Sequence, residues 1–120
     1  MKNFIDFIVT EKVDFNELKN KIYTLAKQNN FEPVKNGYHS HYGVDKKTLD
    51  NIDVTSFDFY DNMSDVEIPL KYRNIITIGY KEKNHELFSI FIKSKIKTRE
   101  INCNNINNVE MILKKLFKEF

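Results

Sequence analysis

Three segments between residues 53 and 101 constrain the fold more than any other feature of the chain. They read DVTSFDFYD, NIITIGYK and ELFSIFIKSKIKTREI, and their richness in β-branched and aromatic residues is typical of β-strands. The turn between the last two, KEKNHE, contains Asn84 and suits a hairpin with about four or five loop residues. Consecutive strands joined by turns predict an antiparallel meander.

Two amphipathic helices are predicted, one on each side of these strands. The first begins at Asp14 as N-cap, with Glu17 completing a capping box, and ends near Asn29 and Asn30. The second begins at Asn107 as N-cap. Each helix places apolar side chains at helical spacing and must bury that face. The predicted buried faces are Phe15, Leu18, Ile22, Leu25 and Ala26 in the first helix and Val109, Ile112, Leu113, Leu116, Phe117 and Phe120 in the second.

The rest of the chain is less regular. FIDFIVT, residues 4–10, alternates in the manner of a strand. Residues 31–51 contain Pro33, Gly37 and Gly43, which predict a long loop with one short strand around residues 37–44. At 120 residues we expect one α+β domain over positions 1–120. It has two layers, with two helices on one face of an antiparallel sheet of about four strands, in the order β-α-β-β-β-α.

Several classes of function lack their usual signals. The only cysteine is Cys103, the three glycines are isolated, and no serine stands in a glycine-framed elbow. No apolar run approaches the roughly 18 residues that span a bilayer. We therefore expect a cytoplasmic protein that is not an enzyme and that uses no cofactor and no membrane. The abundance of Lys, Asn and Ile indicates AT-rich codons, as in a low-GC bacterium or its phages.

One polar aromatic segment, NGYHSHYG, is a candidate site. If it is extended, His39 and His41 point to the same side, as a two-histidine metal site requires. A third ligand would have to come from His85 or Asp45, and no His/Cys cluster supports one, so no metal is expected. Tyrosine and histidine are good contact residues for a partner protein. The predicted partner-binding residues here are Tyr38, His39, His41 and Tyr42.

Acidic residues are concentrated between positions 48 and 67, where six carboxylates occur without a Lys or Arg. The segment does not fit a calcium-binding loop, because Met63 takes a ligand position and no glycine follows. We interpret it as an acidic surface for a basic protein, such as one that binds nucleic acid. The predicted contact residues are Asp58, Asp61 and Asp65.

The sequence KSKIKTR suggests an alternative site. On one continuous strand, Lys93, Lys95, Lys97 and Arg99 would form a basic ladder on one face, with Ile92 and Ile96 facing the core. Such a ladder can follow a nucleic-acid backbone, with Tyr80 or Phe91 as a stacking platform. Lysines on a strand also protect a sheet edge from aggregation, which needs no ligand.

The resulting hypothesis is a small non-enzymatic module that binds a partner protein. We expect an inhibitor, of the phage anti-defence, anti-CRISPR-like or immunity-like kind, that acts by occupying the surface of its partner. The alternative is a nucleic-acid-binding module that uses the basic ladder. A homodimer through a sheet edge, or through Phe117 and Phe120 of the last helix, is compatible with either hypothesis.

Overall fold

The computed structural model describes residues 13–62, 69 and 73–120. Within them the chain forms α1 (Phe15–Gln28), β1 (Phe31–Asp45), β2 (Asp50–Asp61), β3 (Ile75–Lys83), β4 (Glu86–Lys93), β5 (Thr98–Asn102), a short 3-10 turn (Ile106–Asn108) and α2 (Val109–Phe117). The strands form one antiparallel sheet in the order β1-β2-β3-β4-β5. The α+β class is confirmed. The described part has five strands rather than four, and its order is α-β-β-β-β-β-α. The predicted strand at residues 4–10 lies outside the described residues.

The predicted loop over residues 31–51 is wrong, because most of it is the 15-residue strand β1. Its turn-forming residues do not end the strand. The pairing of β1 with β2 shifts register between Pro33 and Tyr38, which is a bulge, and Asn36 within it has a φ of 64°. A bulge takes up residues that would otherwise break a strand. Gly43 lies in regular strand beyond the bulge, paired with Ile52.

The predicted strand at residues 86–101 is divided in two. β4 ends at Lys93, and the amide of Ser94 donates to the carbonyl of Lys97 at 2.7 Å, closing a turn that leads into β5. Ile96 lies on this turn and is 95% exposed, so its predicted place in the core is wrong, whereas Ile92 is buried as expected. The β3–β4 connection is also shorter than predicted. It has two residues, Asn84 and His85.

The first helix begins as the sequence predicts. The Asp14 carboxylate accepts hydrogen bonds from the amides of Asn16 and Glu17, at 3.0 and 3.3 Å. Asn29 caps the C-terminal end. The prediction of Asn107 as N-cap of the second helix is wrong. The side chain of Asn105 accepts from the Asn107 amide at 2.8 Å and starts the 3-10 turn that leads into α2.

Both helices pack on the same face of the sheet. Their buried side chains, including Leu18 and Ile22 of α1 and Leu113 of α2, form one core with the inward residues of the strands, such as Phe57 of β2 and Ile78 of β3. No described helix covers the other side of the sheet, which we call the open face. Among the described residues, no helix combines the length and the apolar character needed to cross a membrane.

Candidate functional site

The polar aromatic segment predicted from NGYHSHYG is extended and lies in β1. Its residues pair with β2 from Tyr38 opposite Phe57 to Gly43 opposite Ile52. Because side chains alternate along a strand, Tyr38 and Tyr42 lie on the helix side of the sheet, and His39 and His41 lie on the open face. Tyr38 is 55% exposed and Tyr42 is 66% exposed. The predicted common side of the two histidines is confirmed.

β1 is the outermost strand of the described sheet. Among the described strands, only β2 pairs with it. Edge strands are usually protected by lysine, proline or a bulge. Pro33, Lys35 and the bulge protect the first half, but the segment from Tyr38 to Val44, YHSHYGV, has none of these features. We call this segment the unprotected edge.

The histidines do not assemble a metal site with other described residues. His39 Nε2 lies 3.1 Å from Asp58 Oδ2, and the hydroxyl of Thr77 donates to Asp58 Oδ1 at 2.7 Å. Asp58 is therefore occupied by contacts within the sheet. No group of three or more His, Cys, Asp or Glu side chains in the described ranges could hold a metal ion.

An acidic groove lies beside Tyr42, between the β1–β2 turn and the β3–β4 turn. It has a volume of about 480 Å³. Its lining contains Tyr42 and the carboxylates of Asp50, Asp53 and Glu82, together with Lys83 and His85. Asp53 and Glu82 are directly opposite each other on β2 and β3. Like charges in this position repel. Burial, and then the charge of Asp53, raise the pKa of Glu82, and Glu82 Oε2 is buried without a hydrogen-bond partner among the described atoms.

The acidic segment does not form one continuous surface, because β2 sends alternate side chains to opposite faces of the sheet. Asp53 lies on the helix side, whereas Asp50 and Asp58 lie on the open face. Asp50 pairs with Lys83 at 3.0 Å. Asp61 ends β2 opposite Phe31, and Asp65 lies outside the described residues.

The predicted basic ladder is not one strand, and that prediction is wrong. Lys93 ends β4 on the open face, Lys95 lies on the turn, and Arg99 lies in β5 opposite Ile92, on the helix side. Lys97 donates to the main-chain carbonyl of Glu119 at 2.9 Å, and Arg99 forms an ion pair with the Glu119 carboxylate. Lys97 and Arg99 therefore both point to Glu119, away from Lys93, and the four basic residues do not form one ladder.

The open face carries a cavity of about 470 Å³, which we call the open-face cavity. Its floor includes Ile52, Val54, Ser56 and Phe91, and its rim includes His41, Lys46, Lys47 and Lys93. Beneath the floor, Gly79 of β3 is paired with Phe91 of β4. A Cβ atom at position 79 would stand 2.6 Å from Phe91 Cζ, so only glycine lets the ring lie against the sheet.

A charged network crosses the open face beside this cavity. Lys81 Nζ of β3 lies 3.4 Å from Asp45 Oδ2 at the end of β1 and 2.7 Å from Glu100 Oε1 of β5. Burial alone would lower the pKa of Lys81, but the hydrogen bonds and charges of Glu100 and Asp45 raise it. The amides of Lys47 and Thr48 donate to Asp45, and the Lys47 bond is the main cause of its lowered pKa.

Neither the acidic groove nor the open-face cavity follows from the sequence alone, since both depend on strand register. Asp53 and Glu82 are far apart in sequence and meet only across the β2–β3 pair. The one partial signal is the prediction of Tyr80 or Phe91 as a stacking platform beside Lys93. Phe91 lines the cavity with Lys93, whereas Tyr80 stacks on Phe15 on the helix side of the sheet. No family model, no curated protein and no solved structure matches this chain.

Proposed function

We propose that this protein is a non-enzymatic binding module that inhibits a partner protein by occupying its surface through the unprotected edge of β1. The observation that carries the proposal is the run from Tyr38 to Val44, an edge without lysine, proline or bulge that presents two exposed tyrosines. An edge strand of this kind offers its main-chain amides and carbonyls to another extended chain.

The geometry favours strand addition. An extended segment of the partner would pair with β1, with Tyr38 and Tyr42 beside it on the helix side of the sheet and His39 and His41 beside it on the open face. Tyrosine buries a large area at low entropy cost and keeps a polar hydroxyl for hydrogen bonding. Main-chain hydrogen bonds supply affinity in this mode, and side-chain contacts supply specificity.

The acidic groove supports a partner of basic chemistry. Asp53 and Glu82 repel each other across the β2–β3 pair, and one buried oxygen of Glu82 makes no hydrogen bond with a described group. A lysine or arginine from the partner would satisfy both carboxylates beside Tyr42. The partner is therefore a basic protein, such as one that binds nucleic acid. Its inhibition in the cytoplasm of a low-GC bacterium, in the manner of a phage anti-defence, anti-CRISPR-like or immunity-like protein, is the role we propose.

The test is affinity capture of the tagged protein from a nuclease-treated lysate of a low-GC bacterium, followed by measured binding to the recovered partner. We expect Tyr38→Ser/Tyr42→Ser to weaken binding at least about tenfold, because exposed tyrosines dominate many interfaces. Met111→Ser is the matched control, since Met111 lies on α2 and is 66% exposed, like Tyr42. It should bind as the wild type does.

Two further variants test the partner's charge. Asp53→Asn and Glu82→Gln should each weaken binding and flatten its dependence on salt, because each removes a carboxylate that faces the basic segment. Equal binding by the tyrosine variant and the wild type would contradict the proposal. So would recovery of nucleic acid alone, or a dimer in light scattering that the tyrosine variant abolishes without any other partner.

A further inference from the structure

The open-face cavity has an excess of positive charge at its rim. Lys46, Lys47 and Lys93 line the cavity and form no ion pair with any carboxylate in the part of the chain that the structure describes. The fourth lysine of the lining, Lys81, is already held by Asp45 and Glu100. Three lysines around one concavity repel one another, and a bound anion of more than one charge would offset this repulsion.

The rim is held in place by a structured turn. The amides of Lys47 and Thr48 donate to Asp45 Oδ1 at 2.8 and 3.3 Å, and the amide of Leu49 donates to the Asp45 carbonyl at 2.7 Å. Asp45 is buried and is itself fixed by Lys81. The main chain that carries two of the rim lysines is therefore positioned before any ligand arrives. Such preorganisation lowers the entropy cost of binding.

The floor of the cavity is mainly apolar. Ile52 and Phe91 are buried, and the Phe91 ring lies against Gly79 because position 79 has no side chain. Ser56 is the polar residue of this floor. An apolar floor with few polar groups and a charged rim is the usual composition of a site for a small organic ligand.

We propose that the open-face cavity binds a small phosphate monoester that carries a planar ring, the chemical class of a nucleoside monophosphate. The phosphate lies at Lys46, Lys47 and Lys93, and the ring lies on the floor over Val54 and Phe91. The volume of about 470 Å³ falls within the range of roughly 300–1,000 Å³ that is typical of small-ligand sites.

A single small ligand fits the charge distribution better than a polynucleotide does. A bound strand needs cations at successive phosphates along a path. Beyond Lys93, however, Lys97 and Arg99 are directed to Glu119 and are not part of the cavity. The lysines without an ion pair therefore line one concavity and do not continue along β5.

The proposed ligand class is tested by isothermal titration calorimetry with AMP, GMP, CMP and UMP, and with adenosine and inorganic phosphate as the two separated halves. We expect at least one nucleotide to bind at least about tenfold more tightly than either half, and to bind more weakly as salt rises, because both the rim and the floor contribute. Absence of heat and of NMR shift changes with every nucleotide at millimolar concentration would overturn the proposal. So would equal affinity for inorganic phosphate.

Variants locate the site. Lys46→Gln/Lys47→Gln and Lys93→Gln should each reduce nucleotide affinity about tenfold, whereas Lys95→Gln, on the exposed turn outside the cavity, should leave it unchanged. Equal effects of Lys93→Gln and Lys95→Gln would overturn the assignment. Affinity for oligonucleotides that grows steadily with length would also overturn it, in favour of a strand-binding surface. The exposed tyrosines of β1 are not substituted in these experiments, so failure here is distinct from failure of the inhibitor proposal.

Discussion

At position 79 any side chain larger than hydrogen would collide with the Phe91 ring on the neighbouring strand, since a Cβ atom there would lie 2.6 Å from Cζ. Gly43, in β1, is different, because a Cβ atom there would meet nothing within 4 Å. Neither glycine has a positive φ. The two positions therefore allow a crowded glycine in the sheet to be compared with an unhindered one.

We expect Gly79→Ala to lower the free energy of unfolding by about 1–3 kcal/mol, the usual cost of overpacking. The measurement is urea denaturation followed by circular dichroism. Gly43→Ala is the matched control and should change stability by no more than roughly 0.5 kcal/mol, as surface substitutions usually do. A Cβ atom at position 79 would also collide with the Thr55 carbonyl oxygen, so equal losses in the two variants would contradict the crowding at this position.

The effect of the Glu82 carboxylate on stability is expected to depend on pH. Its pKa is raised by burial and by Asp53, so the folded protein holds the proton more tightly than the unfolded chain does. The ionised carboxylate therefore costs stability above the raised pKa, and this cost disappears as the pH falls below the ordinary glutamate range of about 4. Glu82→Gln should be more stable than the wild type at pH 7 and equal to it at pH 3.5. Glu86→Gln, exposed in the same hairpin, is the control for replacing a carboxylate by an amide.

At the level of whole elements, the strands with a clear alternation were predictable, and the edge strand was not. In β1 the residues Pro33, Asn36 and Gly37 have the composition of a loop, but they lie at a bulge that only pairing with β2 makes possible. The helix at Asp14 was predictable because its cap is local. The Tyr/His alternation in the candidate site was likewise local, whereas the acidic groove and the cavity need the register of several strands.

The β3–β4 turn allows a prediction about stability. Asn84 and His85 have φ of 53° and 64°, the positive values of a two-residue hairpin turn in which Asn-Gly is strongly preferred. We expect His85→Gly to raise the free energy of unfolding by roughly 0.5–1 kcal/mol, because a residue with a Cβ atom pays a conformational cost in this region that glycine avoids. His85→Ala, which removes the imidazole but keeps Cβ, should show no increase in the free energy of unfolding.

At the scale of the whole molecule, Lys81 connects the two ends of the sheet. It lies on the central strand and bonds Asp45 of the first strand and Glu100 of the last. The two ion pairs therefore join β1, β3 and β5 across the open face, beside the open-face cavity.

Removal of this link should be measurable. We expect Lys81→Met to cost about 1–3 kcal/mol of unfolding free energy, since it leaves partly buried carboxylates without their hydrogen bonds. A double-mutant cycle with Glu100→Gln should give a coupling above roughly 0.5 kcal/mol. Lys95→Met, on the exposed turn, is the control for loss of a lysine. Additive effects of Lys81→Met and Glu100→Gln would contradict the network.

The strand order β1-β2-β3-β4-β5 also has a consequence for folding kinetics. Each described strand pairs with its neighbour in the chain, so the sheet can form by successive pairings. Three of the four connections have two to four residues, and the one between β2 and β3 has 13. Contacts between α1 and α2 are the ones that span most of the chain. Low sequence separation favours fast folding. The slow step is then expected to be docking of α2 beside α1. During synthesis the sheet can assemble before α2 emerges. The helix side of the sheet then stays partly exposed until α2 has docked.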